Sequence, residues 1–158
     1  MRPMLEAHRV SSLRSRWEVR EDGAPLLVLE AKGWRSSVRY TLDGVAYEVQ
    51  STWTGTTYTL LGGDGSEIAR AERIGRKHWS ITTGDEELHF RRRSIFKADQ
   101  EWIAEPGSSE PRGTIRRTGT WRGDAEADLP GMPTPVAVFT LAVVLLMWEQ
   151  AAAAAAAT

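Results

Sequence analysis

Between Arg16 and Trp121 apolar and polar residues alternate in short runs, the period-two pattern of strands with one buried face. In Val45-Ala46-Tyr47-Glu48-Val49-Gln50 one face holds Val45, Tyr47 and Val49; in Lys77-His78-Trp79-Ser80-Ile81-Thr82 it holds Trp79 and Ile81. Asp22-Gly23, Asp43-Gly44 and Asp64-Gly65 punctuate the runs as two-residue hairpin turns of type I′, which need positive φ at both central positions. The pattern predicts strands near 16–21, 26–31, 35–42, 45–53, 57–61, 67–73, 77–82, 87–93, 99–104 and 112–118, with room for two more at the N-terminus and around Thr120-Trp121. Strands at about this spacing indicate an all-β sandwich or barrel.

The alternation ends at Thr134-Pro135. From Val136 to Trp148 (VAVFTLAVVLLMW) there is no charge and one polar side chain, Thr140. A helix that is apolar all round has to be enclosed by protein, by lipid or by another subunit. Thr134 is placed as its N-cap and Pro135 as its first residue, where a missing N–H costs nothing. Length favours protein, because a bilayer core needs about 20 apolar residues and runs of about 10–14 are more often core helices. The flanks point the same way. Asp124, Glu126 and Asp128 stand where cytoplasmic Lys or Arg would precede a span, and extending the run into Ala151–Ala157 buries Glu149 and Gln150. The alanines read equally as a helix extension or as a low-complexity tail.

Size then selects the architecture. A helix is about 10–12 Å across, and these thirteen residues rise about 20 Å; tilted strands of six or seven residues span roughly 16–20 Å. Eleven-stranded cans enclose a central helix, whereas eight-stranded barrels are filled by their own side chains or a small ligand. The expected fold is therefore mainly β: a closed antiparallel barrel of ten to twelve strands, residues 1–150, around a helix at about 135–150. Its axis would be filled by Val136, Val138, Phe139, Leu141, Val143, Val144, Leu145, Met147 and Trp148, and without them the barrel would be hollow.

Composition adds limits. A chain of 158 residues suits one domain. No cysteine is present, which removes disulfides, thiolate catalysis and the commonest zinc ligands, and agrees with a reducing cytoplasm. The N-terminal residues are charged throughout and lack a signal-like apolar stretch. Twenty basic against 21 acidic residues argue against a general nucleic-acid binder. Seven tryptophans spread along the chain suggest one large core fed by every segment. His8, His78 and His89 lack metal-ligand spacing, and no phosphate loop, nucleophile elbow or HExxH pattern occurs. An enzyme, a cofactor and a metal are not expected.

The hairpin Tyr58-Thr59-Leu60-Leu61-Gly62-Gly63-Asp64-Gly65-Ser66-Glu67-Ile68-Ala69-Arg70-Ala71, the strand ending Trp79-Ser80-Ile81, and the proline-led terminus from Leu129-Pro130 to Trp148 resemble the tubby C-terminal-like superfamily, in particular the short bacterial LURP-one-related proteins. The resemblance implies a twelve-stranded barrel around a hydrophobic C-terminal helix, and a link to membranes without a single agreed chemistry. Tubby domains bind phosphoinositide headgroups; the Cys-rich tract and acidic calcium segment of the related phospholipid scramblases are missing here.

The strongest candidate site is basic: Arg73, Arg76, Lys77, Arg91, Arg93 and Lys97, which neighbouring strands could bring to one rim. Guanidinium groups bind phosphate through paired hydrogen bonds. With Leu88 and Phe90 inward, Arg91 and Arg93 face out and Arg92 points inward or toward the barrel end. Arg112, Arg116 and Arg117 form a second basic group, and a solvated barrel wall accounts for either. The expected function is a non-enzymatic, monomeric, cytoplasmic module that binds anionic lipid headgroups at membrane surfaces. Its rivals are a soluble protein-interaction or stress-associated scaffold, and a tail-anchored or scramblase-like membrane protein.

Overall fold

The computed structural model describes residues 4–10, 15–32, 37–93, 98–118 and 124–157. Twelve antiparallel strands surround one helix: β1 (Met4–Arg9), β2 (Arg16–Glu21), β3 (Ala24–Lys32), β4 (Ser37–Leu42), β5 (Val45–Ser51), β6 (Tyr58–Leu61), β7 (Glu67–Glu72), β8 (His78–Thr83), β9 (Glu86–Arg92), β10 (Gln100–Ile103), β11 (Pro111–Arg117), β12 (Ala125–Asp128) and α1 (Thr134–Ala156). Each strand pairs with its neighbours in sequence, and β1 pairs with β12 to close the cylinder. The ten strands read from the sequence are present, as is one at the N-terminus. The twelfth is at Ala125–Asp128, inside a segment that reads in sequence as an acidic connector; Thr120 and Trp121 lie outside the described residues. Its alternation is Ala-Glu-Ala-Asp, with Ala125 and Ala127 inward. Alanine and acids are poor strand formers, so propensity hides what barrel closure imposes.

Turn chemistry follows the sequence with one change. Asp22-Gly23 and Asp43-Gly44 have positive φ at both residues, as type I′ turns require. At Asp64-Gly65 only Gly65 does, and Gly62 bonds to Ser66 and accepts from Gly65. This is a three-residue loop with a left-handed glycine bulge, and a separate register shift follows between Leu60 and Leu61, where Ile68 is the extra residue.

The helix lies along the barrel axis, with every residue from Val136 to Leu146 buried, Trp148 also buried, and Met147 packed against the core. The lone polar residue, Thr140, is satisfied because its hydroxyl donates to the Val136 carbonyl at 2.8 Å. Small inward side chains make room for it on two opposite stretches of wall. Ala7, Ala125, Ala127 and Gly113 lie on β1, β12 and β11, and Ala69 and Ala71 on β7, six strands around the ring. Large residues fill the remainder, including Trp17, Tyr58, Phe90 and Trp79, the last two stacked at 4.3 Å.

Two expectations need correction, and one reading left open is decided. The cap is Pro133, without a side-chain hydrogen bond, and Thr134 is already helical. The alanines continue the helix, giving 23 residues, long and apolar enough by length and composition to cross a membrane, a test that a buried core helix also passes. Trp53 is not a core residue, being 92% exposed. Trp17, Trp79, Trp102 and Trp148 are buried, while Trp34 and Trp121 lie outside the described residues.

Candidate functional site

An up-and-down barrel places its connections alternately at two ends, and here the ends differ in chemistry. The connections at residues 22–23, 43–44, 62–66, 84–85 and 104–110 share the end where α1 enters. They carry Asp22, Asp43, Asp64, Asp85, Glu105 and Glu110, with no Lys or Arg. The opposite end, where α1 leaves the barrel, holds the connections after β5, β7 and β9. There lie Arg73, Arg76 and Lys77 in the β7–β8 turn, Arg92 at the end of β9, and Arg93 just beyond it. None of these five has a carboxylate partner among the described residues, and Trp53 projects from the same end.

The barrel wall behaves differently. Arg91 is directly opposite Glu101 and donates to it at 3.0 Å, and its other nitrogens donate to the carbonyls of Ser108 and Ser109. Arg39–Glu48 and Arg116–Glu126 are likewise paired across strands. Arg112 lies over the Trp102 ring and Arg117 over Trp148. These wall cations are thus held by cross-strand carboxylates and aromatic faces, unlike the five at the helix-exit end.

Of the residues read from sequence, the β7–β8 turn brings Arg73, Arg76 and Lys77 together beside a shallow depression of about 800 Å³ shared with His78. Arg93 is exposed at the same end; Arg91 sits on the wall, committed to Glu101; Lys97 lies outside the described residues. Arg73 holds a left-handed backbone, φ 62°, which costs a side-chain-bearing residue free energy. The turn is fixed from beneath by Ile74, which is buried and donates its N–H to the Thr56 carbonyl.

Sequence reasoning missed the second element of this end. A groove of about 490 Å³ opens where α1 emerges, lined by Ile74, Met147, Trp148 and Ala151 with Arg76 and Arg92. Phe90 and Arg92 are two apart on β9, so Arg92 shares the inward face and ends up at the mouth. Around the exit the helix is fastened by polar contacts. The Ser15 hydroxyl donates to Glu149, Arg9 pairs with Glu149 at 3.0 Å, Gln150 donates to the Tyr58 hydroxyl, and Trp148 Nε1 donates to the Ala98 carbonyl.

No group of three or more His, Cys, Asp or Glu that could hold a metal occurs among the described residues. His78 is opposite Arg91 and His89 opposite Ser80, so the two histidines do not face each other. With tubby-like and LURP-one-related proteins the chain shares general shape, a closed twelve-strand antiparallel barrel with a single C-terminal apolar helix. The sequence matches no protein-family model, and no curated protein matches it.

Proposed function

We propose that this protein is a non-enzymatic, tubby-like module that binds the anionic surface of a membrane, cytoplasmic side, with its helix-exit end. The observation that carries this is charge segregation: Arg73, Arg76, Lys77, Arg92 and Arg93, without a carboxylate partner among the described residues, at one end against six acidic residues and no base in the connections of the other. A basic group near an anionic bilayer contributes about 1 kcal/mol, so five give roughly 5 kcal/mol of attraction. The acidic end stands about 20 Å away along six- or seven-residue strands, beyond two Debye lengths at physiological salt, and is screened from the same surface. Trp53, exposed at the same end of the barrel, has the amphipathic ring favoured at the headgroup level. Arg91 is not part of this surface, because Glu101 holds it.

Cosedimentation tests the reading. The protein should pellet with vesicles containing phosphatidylserine, not with phosphatidylcholine alone, and lose binding as salt rises. Arg73→Glu combined with Arg76→Glu and Lys77→Glu should abolish pelleting, whereas Asp43→Lys at the far end should not. Failure to bind anionic vesicles in low salt overturns the proposal. Recovery of the protein only in detergent would favour instead a membrane-inserted helix, which the 23-residue length of α1 permits.

A further inference from the structure

We propose that the groove at the helix exit binds a single-chain anionic amphiphile, its charged head on Arg76 and Arg92 and its hydrocarbon chain along Ile74, Met147, Trp148 and Ala151. This rests on the reading of that end as membrane-facing and adds a discrete ligand site to it. Three observations converge. The floor is hydrocarbon and aromatic, while the groove's bases are guanidinium groups without a carboxylate among the described residues. Its other polar side chains each already make a hydrogen bond within the protein. Gln100 accepts from Trp79 Nε1 at 2.9 Å and donates to the Ala98 carbonyl at 3.1 Å, Trp148 Nε1 donates to that same carbonyl, and Gln150 donates to Tyr58. The floor therefore has little to offer a peptide backbone or a sugar, both of which need paired hydrogen bonds. Finally, about 490 Å³ lies in the usual range of small-ligand sites and suits one alkyl chain, not a whole diacyl lipid.

The two arginines come from different elements, the β7–β8 turn and the end of β9. Their planar forks match carboxylate or phosphate oxygens in a way ammonium groups do not. Trp148 is held in place by its bond to the Ala98 carbonyl and by Arg117 over its ring. The floor is thus formed before any ligand arrives, which lowers the ordering cost of binding.

Dodecyl phosphate, kept below its micelle concentration and titrated calorimetrically into the full chain, is the probe. Saturable one-to-one binding is expected, with inorganic phosphate and dodecyl maltoside each much weaker. Arg92→Gln should weaken binding by about tenfold or more, the loss of a charge-assisted hydrogen bond. Ala151→Trp, at an exposed helical position that a large ring can occupy, should fill the groove and abolish amphiphile binding while anionic-vesicle binding stays intact. A bromine-tagged chain should quench fluorescence in the wild type and lose most of that quenching in Trp148→Phe. Non-saturable binding, or binding unchanged by Ala151→Trp, overturns the proposal. Vesicle binding without amphiphile binding overturns the groove assignment alone; amphiphile binding without vesicle binding overturns only the membrane-surface reading.

Discussion

Phe139→Ala tests whether α1 is the core of the barrel or merely its passenger. Phe139 is fully buried about one turn into the axial segment, among the largest wholly enclosed side chains. Truncating such a ring forfeits its transfer free energy and leaves a cavity that surrounding strands close only in part, about 3–5 kcal/mol in all. A cylinder is stiff in this respect, because hydrogen bonds run around the full ring and no edge strand is free to slump inward. Domains of this kind have about 5–15 kcal/mol of total stability, so the loss is a large fraction of it. With a urea slope of about 2.5–3 kcal/mol/M, the unfolding midpoint should fall by about 1–2 M. Ala152→Gly is the matched control on the exposed extension and should cost at most about 1 kcal/mol. Urea unfolding followed by tryptophan fluorescence and circular dichroism reads both. If Phe139→Ala costs under about 1 kcal/mol, or no more than Ala152→Gly, the helix does not support the wall and the packing argument fails.

Other substitutions probe other joints. A Cβ on Gly113 would stand 2.4 Å from the Asp128 carbonyl oxygen and 3.2 Å from the Trp102 ring, and the backbone there cannot step aside; Gly113→Ala should cost about 1–3 kcal/mol by thermal melting. Glu149→Ala removes the acceptor of Ser15 and the partner of Arg9 at the helix exit, and should lower stability by about 1–2 kcal/mol in urea titration. Burial, reinforced by neighbouring Tyr47, pushes the Tyr40 hydroxyl well above the usual tyrosine range. A raised folded-state value means its stabilisation is complete below about pH 10 and is lost as pH rises further. Wild-type stability should fall above that pH with a slope that Tyr40→Phe reduces. At neutral pH the same change should be neutral or slightly stabilising, because the Tyr40 hydroxyl is buried with no hydrogen-bond partner among the described residues.

The fold was largely legible because its main devices are local. Alternating runs gave the strands, Asp-Gly pairs gave two of the tightest turns, and a segment with no polar face could be only an enclosed helix. What escaped is set by tertiary context. Strand β12 has the composition of a linker and becomes a strand because the ring must close. Trp53, in Thr52-Trp53-Thr54-Gly55, carries the residue type of a core and the neighbours of a loop; the Gly55 signal could have placed it outside. Alternation along β9 already sent Arg92 inward or toward the barrel end, but sequence could not show that Arg91 is taken by Glu101. That pairing depends on which residue stands opposite, a fact of register rather than of spacing. The groove was invisible because most of its floor comes from a helix that meets the β7–β8 turn only in three dimensions.

The seam between β1 and β12 dictates the order of events in folding. Met4 pairs with Asp128, and until that pairing forms the twelve strands are an open sheet with β1 and β12 as sticky edges and an uncovered apolar face. The helix follows β12 in the chain, and a rod this greasy cannot be threaded into a finished tube. Wall and axis have to assemble together, with the entropy of the longest loop spent at that step. Emergence from the ribosome therefore leaves a nascent barrel wall whose largest hydrophobic surface waits for α1, which follows it in the chain. Refolding from denaturant should be slow, concentration-limited by aggregation and helped by a holding chaperone.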